Sequence, residues 1–317
     1  MSGFAWRIHQ GVAQKLPIAQ AFDVPCDFVW VHLNTNTAEA QDWLANTAGL
    51  PDYVVEALTA SETRPRCDAL GDGAYINLRG RSSEVMSMSD PLASVRIYAT
   101  AGRVISVTRK SMIAMEQVVA AVRGGEVMDP GDLIAEFAIA ITTELDPEVA
   151  DLGDLLDDCE TDLDADKVFE LRSNVTRIRA TAIGYRRFLA PQRAAIEKLA
   201  ALPAPWLQDD DRIHLSSAAD RAARMAEELE SIRERAALMH EQLTDLRAEQ
   251  IDQRTLVISI VAMIFLPLTF VTGLLGMNVA GIPFAHQPWA FDGVVLLCAV
   301  VAVAITAYFV RRRWFPG

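Results

Sequence analysis

Between Thr272 and Trp289 the chain reads TGLLGMNVAGIPFAHQPW, a stretch with no charged residue. Its side chains with cation chemistry include the amide of Asn278 and the imidazole of His286. An amide oxygen suits a hard divalent ion that keeps much of its water, because such ions give up hydration reluctantly. An imidazole nitrogen suits a borderline-soft ion such as Zn2+. Gly276 and Met277 stand just before the asparagine, where the chain must turn between two apolar runs.

Those runs define the setting. Thr255 to Leu275 has 21 residues and no charge, and Gly293 to Val310 has 18 and no charge. At 1.5 Å per residue they reach roughly 27–32 Å, the thickness of a hydrocarbon core. No Lys or Arg occurs between Arg254 and Arg311, and Arg311, Arg312 and Arg313 follow the second run. Basic residues beside span ends stay in the cytoplasm. The expected topology is a two-helix transmembrane hairpin with both termini cytoplasmic and the 276–289 loop outside. The first ten residues contain no apolar signal-peptide core, in keeping with this.

The remaining composition narrows the function. A net charge of −13 without a basic stripe argues against nucleic-acid binding. Cys26, Cys67, Cys159 and Cys298 are scattered, with no C-x-x-C pair, so neither a disulfide framework nor a structural zinc site is indicated. No nucleophile–base constellation and no phosphate-loop spacing is found, so the chain is not read as an enzyme and no cofactor is expected.

Residues 4–110 read as mixed α/β. Strands are expected at Phe28–Asn34, Tyr75–Gly80, Ala93–Thr100 and Arg103–Arg109, the last two joined across Ala101-Gly102. Two short helices broken at Gly49 and Pro51 come between the first two strands. Helices follow over 112–123, 132–166 and 167–199. From Asp210 there is neither Pro nor Gly until Pro267 and Gly273, which predicts one helix that starts in water and ends in the membrane. The domain reading is therefore a cytoplasmic α/β domain (1–125), a cytoplasmic helical region (126–209), a long stalk helix continuing into the first span (210–275), an extracytoplasmic loop (276–289), and the second span with its basic tail (290–317). Asp151 to Asp166 carries eight acidic residues and no basic one. It reads as a solvated helix face, with a loose divalent-cation site as the minority alternative.

One face of the long helix, taken at spacings of three and four, separates into two parts. Its cytoplasmic part presents Glu227, Glu230, Glu234 and Glu241, a candidate cation-gathering vestibule. Its membrane part presents Thr255, Ile258, Ala262, Leu266, Thr269, Gly273 and Gly276. Small residues let helices approach closely, and hydroxyls with narrow aliphatic rings also suit a water-filled pore. A helix-packing seam and a pore lining are both open on this pattern. No carboxylate lies inside either run, so an ion seated bare on Asp or Glu in mid-membrane is not supported. Two spans cannot enclose a pore, so conduction requires several subunits.

PLTFVTGLLGMN (Pro267 to Asn278), a short loop and one more span ending in RRRWFPG resemble the CorA family of divalent-cation transport proteins, and SETRPRC (Ser61 to Cys67) resembles an element of its cytoplasmic domain. The resemblance implies a funnel-shaped homopentamer in the bacterial inner membrane. Five long helices would line the pore, Gly276-Met277-Asn278 would form its outer mouth, and divalent cations and the lipid bilayer would be the partners. Leu275 stands where the magnesium branch usually has Tyr, and VAGIPFAHQPW lacks that branch's acidic loop element. GMNVAGIP resembles instead the zinc-transporting branch, which implies Zn2+ as the ion carried and a proton gradient affecting its rate. A magnesium or other divalent-cation channel is the alternative within the family. A membrane-anchored receptor or scaffold is the alternative outside it.

The topology is directly checkable. In a Cys-free background, Ala285→Cys should react with an impermeant thiol reagent added outside. Labelling from the cytoplasmic side alone would invert the assignment.

Overall fold

The structure is a computed structural model that describes residues 3–23, 26–61, 64–83, 92–164, 167–277, 281–282 and 287–311. It divides into two compact units. The first comprises Met1–Leu163 with Phe169–His240, and the second Asp164–Val168 with Glu241–Gly317.

The first unit is built on a seven-stranded sheet of β1 (Gly3–His9), β2 (Val12–Leu16), β3 (Phe28–Asn34), β4 (Arg66–Leu70), β5 (Gly73–Arg81), β6 (Leu92–Thr100) and β7 (Arg103–Thr108). The strand order is β2-β1-β3-β7-β6-β5-β4. β3 and β7 are parallel and every other neighbour is antiparallel. Thr100 pairs with Arg103 across the tight β6–β7 turn. Strands β1, β2 and β4 lie outside the sequence expectation. β2 and β4 are edge strands with little buried surface, so they lack the alternation that marks a half-buried strand.

Because successive strand residues point to opposite faces, β3 serves two cores. Val29, Val31 and Leu33 pack with Trp43, Leu44, Val54 and Leu58 from α1 (Ala38–Asp42), the π-helical turn after it (Trp43–Thr47) and α2 (Asp52–Thr59). Trp30 faces the other way and meets Phe137 edge-on, with ring centroids 5.8 Å apart. Three buried polar groups on that side are linked to one another. The Trp30 indole donates to Ser106 Oγ at 2.8 Å, and Ser106 Oγ lies 2.9 Å from His32 Nδ1. Burial pushes the His32 pKa down to about 4, so the ring is neutral near pH 7.

Three long helices follow the short α3 (Ala114–Gly124): α4 (Pro130–Thr161), α5 (Val168–Ala200) and α6 (Asp209–Leu275). Their buried positions repeat at alternating steps of three and four. On α5 they include Leu171, Val175, Ile178, Ala182, Leu189, Ile196 and Leu199, and on α6 Leu215, Ala218, Ala222, Met225, Leu229, Ile232, Ala236 and Met239. A repeat averaging 3.5 residues keeps one apolar stripe on one side of each helix, which is coiled-coil packing. α4 contributes Ala138, Ile141, Leu145, Val149, Leu152, Leu156 and Cys159. Truncating a fully buried member such as Leu145 or Leu229 to Ala costs about 2–5 kcal/mol.

Polar ties fix the bundle's register. Arg235 on α6 bonds Asp157 and Glu160 on α4. Two acids of the 151–166 run are thus engaged by an arginine. Arg186 on α5 reaches Glu230 on α6 at 2.9 Å. The sheet is joined to the bundle by Arg81 and Glu148 at 2.8 Å, and by the Arg79 N–H, which donates to Oε1 of the fully buried Gln192 at 2.8 Å.

Glu144 lies at the same junction, where its Oε1 accepts the Arg81 N–H at 2.6 Å. Burial raises its carboxyl pKa from the usual 4.5 to about 7, despite that hydrogen bond. A group that holds its proton more tightly when folded contributes stability at low pH, and loses it as pH rises from its unfolded value through its folded one. Glu144→Gln keeps the acceptor and removes the charge. Its melting temperature relative to the parent should therefore climb between pH 5 and pH 8, and an offset that does not change with pH would refute this account.

In the second unit, α6 continues to Leu275, and α7 runs from Ala290 to Arg311. With 67 residues, α6 is about 100 Å long. Both helices contain a segment long and apolar enough to cross a membrane. The Gly276 N–H donates to the Thr272 carbonyl at 2.9 Å and closes the last turn of α6. Gly281 has φ +103°, a backbone conformation that side chains disfavour.

Candidate functional site

The membrane part of α6 has distinct faces. Its less exposed positions are Leu256, Ile260, Ile264, Pro267, Leu268, Val271 and Leu275. On α7 the corresponding set is Val294, Cys298, Val301, Ala302, Ile305 and Phe309. Each set lies on one side of its helix, as expected of a hairpin whose helices cover one face of each other. Cys298 sits in that set as a small apolar residue.

The seven stripe residues fall elsewhere. Thr255, Ile258, Ala262, Leu266, Thr269, Gly273 and Gly276 are all exposed in a single chain, Leu266 by 75%. The small and hydroxylated face is therefore not the seam with α7. It is a surface left for something else: lipid, water or another copy.

The hydroxyls separate those choices. Ser259 and Thr272, which lie off the stripe, donate back to their own helix, to the Thr255 carbonyl at 2.8 Å and the Leu268 carbonyl at 2.9 Å. That is how a hydroxyl is satisfied in hydrocarbon. Thr255 and Thr269, on the stripe, make no such side-chain bond, which fits a face in contact with water or with polar groups of a neighbour. Gly276 ends the stripe closely packed, since a Cβ there would stand 3.0 Å from the Thr272 carbonyl oxygen. Met277 is about half exposed. Asn278 and His286 lie outside the described residues.

The proposed vestibule is less uniform than its sequence pattern. Glu227, Glu234 and Glu241 are exposed. Glu230 is not a free carboxylate. Arg233 bonds it at 2.6 Å and Arg186 at 2.9 Å, and the Arg233 bond is the leading cause that holds its pKa below the ordinary value. Arg186 lies on another helix, so sequence spacing gave no sign of it. Glu230 is thus a structural tie between α5 and α6, Glu234 also lies 3.6 Å from Arg233, and Glu227 and Glu241 are the more open carboxylates of the four.

A carboxylate group that sequence reading missed lies at the start of α4 and α6. The ligand atoms of Asp129, Asp132 and Asp211 all come within 4.8 Å of one another, close enough for one small cation. Their contacts are those of helix caps. Asp129 accepts the Gly131 and Asp132 N–H groups at 2.7 and 3.0 Å. Asp211 accepts the Gln208 N–H at 2.7 Å, and the Gln208 amide bonds Asp129 at 2.6 Å. Burial, reinforced by the neighbouring carboxylates, pushes Asp211 up to about 7, so a shared proton also satisfies the group.

A seven-stranded α/β unit, a helix of 67 residues and a terminal apolar hairpin with Gly-Met-Asn at its turn together describe a divalent-cation transport protein. The chain belongs to the CorA family: the family described as "CorA-like Mg2+ transporter protein" matches residues 26–313. Two relatives are named "Zinc transport protein ZntB". That of Klebsiella pneumoniae is 33% identical over 98% of this chain and 95% of its own length. That of Pectobacterium atrosepticum is 32% identical over 92% and 88%. Among solved structures, the full-length CmaX protein superposes with a TM-score of 0.77 at 29% identity, covering 99% of this chain and 98% of CmaX. The CorA magnesium transporter of Methanocaldococcus jannaschii superposes at 0.80 with 18% identity over 99% of both chains, a likeness of fold.

The division among the glutamates predicts different outcomes for different variants. Changing Glu227, Glu234 and Glu241 together to Gln should lower flux of cations supplied at the cytoplasmic side several-fold at low ionic strength, and the deficit should vanish at high salt. Glu230→Gln should instead lower the melting temperature and leave the salt dependence of flux as it was. Unchanged low-salt flux in the triple variant would remove the vestibule from the mechanism.

Proposed function

We propose that this chain carries Zn2+ across the bacterial inner membrane through a pore on the axis of a homopentamer, with both termini cytoplasmic and a proton gradient affecting the rate. The observation that carries the reading is the α6 stripe, which is small and hydroxylated, exposed in one chain, and turned away from the face that α7 covers. A ring of copies facing each other through this stripe would enclose a narrow path lined by Thr255 and Thr269. The path holds no carboxylate, so the ion would pass with much of its water. Asn278 would receive it at the outer mouth, shaped by Gly276 and Met277, and His286 would raise the local zinc concentration.

Zinc is favoured over magnesium by the GMNVAGIP sequence, by the imidazole in a loop free of acids, and by the names of relatives that span most of this chain. A magnesium channel is the second reading, supported by the shared fold of the archaeal magnesium transporter. A receptor or scaffold held by a membrane anchor would have no use for unbonded hydroxyls on a lipid-facing stripe.

Flux of radioactive zinc and magnesium into proteoliposomes, with and without a pH gradient, tests the assignment. Zinc should enter, and the gradient should change its rate. Asn278→Ala should lose most of the flux while keeping the oligomer, and His286→Ala should weaken uptake at low zinc more than at saturating zinc. Ready passage of magnesium with no zinc flux at acid or neutral pH would move the chain to the magnesium branch, and full transport by an assembled Asn278→Ala variant would reduce the signature to a structural turn.

A further inference from the structure

A cavity of about 830 Å³ lies in the first unit between α5 and the sheet. Arg64 and Arg79 come to it from the sheet side, and Arg177 and Arg187 from α5. No Asp or Glu is among the described residues that line it, in a chain with 42 acidic and 29 basic residues. The helix side is recessed between its two arginines. Ala180 and Gly184 stand there, and a Cβ on Gly184 would meet nothing within 4 Å.

Three of these arginines, Arg64, Arg177 and Arg187, have no carboxylate partner among the described residues. Among the described residues, Arg64 and Arg187 make no ion pair, and Arg177 bonds only the Asn174 side-chain oxygen at 3.1 Å. Arg79 lies over the Phe188 ring at 5.4 Å from its centroid, which holds that guanidinium against the wall. Tyr185 bonds Glu148, but that carboxylate is already paired with Arg81 at 2.8 Å. Among the described residues, the cavity is thus a concave cluster of positive charge on an acidic protein. Such a concentration of like charge costs energy when empty and lowers it when an anion enters. Planar guanidiniums hold phosphate oxygens through paired N–H bonds, and several converging from two walls select more than one phosphate. The volume is that of a small-molecule site, larger than one phosphate needs.

We propose that this cavity binds an oligophosphate group, carried by a nucleotide or by free pyrophosphate, with Arg64, Arg177 and Arg187 as the phosphate contacts. The site lies in the sheet-and-bundle unit, shares no residue with the proposed ion path, and stands whether or not zinc is the ion carried.

The test is equilibrium binding to the full-length purified protein in detergent, in metal-free buffer at low salt, with pyrophosphate, ATP and adenosine as separate probes. Pyrophosphate and ATP should bind, adenosine should not, and binding should weaken as salt rises. The Arg177→Gln/Arg187→Gln double variant should lose at least about tenfold in affinity for both phosphates, while its melting temperature and oligomer size stay those of the parent. Arg64→Gln, at an exposed position outside the helices, supplies the same readout should the double variant not fold. ATP binding tighter than pyrophosphate would identify a nucleotide as the source, and equal binding would identify the phosphates alone. Failure of both phosphates to bind at millimolar concentration, or undiminished binding by folded variants, would overturn the proposal.

Discussion

A single helix runs from Asp209 to Leu275, and the surroundings of its side chains change part-way along. Up to Leu243 the helix buries an apolar stripe and shows charge on its other faces. Beyond Arg254 it has no charge, and most of its side chains are exposed in a single chain. A helix can cross such a boundary because it satisfies its own peptide groups in either medium. The other elements can be understood from what this helix needs. α4 and α5 cover its first stripe, the sheet anchors those two helices through Arg79, Arg81, Glu144 and Gln192, and α7 covers one face of its apolar end.

The uncovered remainder explains why a single copy is incomplete. Val257, Val261, Phe265 and Phe270 are bulky and exposed, suited to hydrocarbon or to a second subunit. The stripe of Thr255, Ala262, Thr269 and Gly273 is not suited to lipid, and its hydroxyls lack the back-bonds that Ser259 and Thr272 make. The two pairs of hydroxyls thus differ in their bonding although both lie in the same uncharged run.

Much of this was legible in the sequence, for identifiable reasons. The spans are long runs without charge, and the length of α6 follows from the absence of Pro and Gly between Asp210 and Pro267. Strands β3, β5, β6 and β7 announce themselves through apolar and β-branched residues, whereas β2 and β4 are edge strands whose polar side chains read as loop. What sequence hides are partnerships between distant segments. Glu230 looks like part of an acidic face until Arg186 arrives from another helix. Asp157 and Glu160 look like solvated charge until Arg235 clamps them. Asp129, Asp132 and Asp211 meet only because α4 and α6 begin side by side, and the cavity arginines are drawn from positions 64 to 187.

The placement of the heptad stripe within α6 also orders the birth of the protein. The sheet, α4 and α5 precede α6 in the chain, and the buried apolar stripe of α6 ends at Leu243. The first uncharged run begins only at Thr255. Domains form as units during synthesis, from the N-terminus onward. Everything the soluble core requires therefore leaves the ribosome before either membrane segment does. The nascent chain can close its water-soluble half first and deliver a short, late hairpin to the bilayer. On the proposed reading, assembly with other copies through the stripe would be the final event.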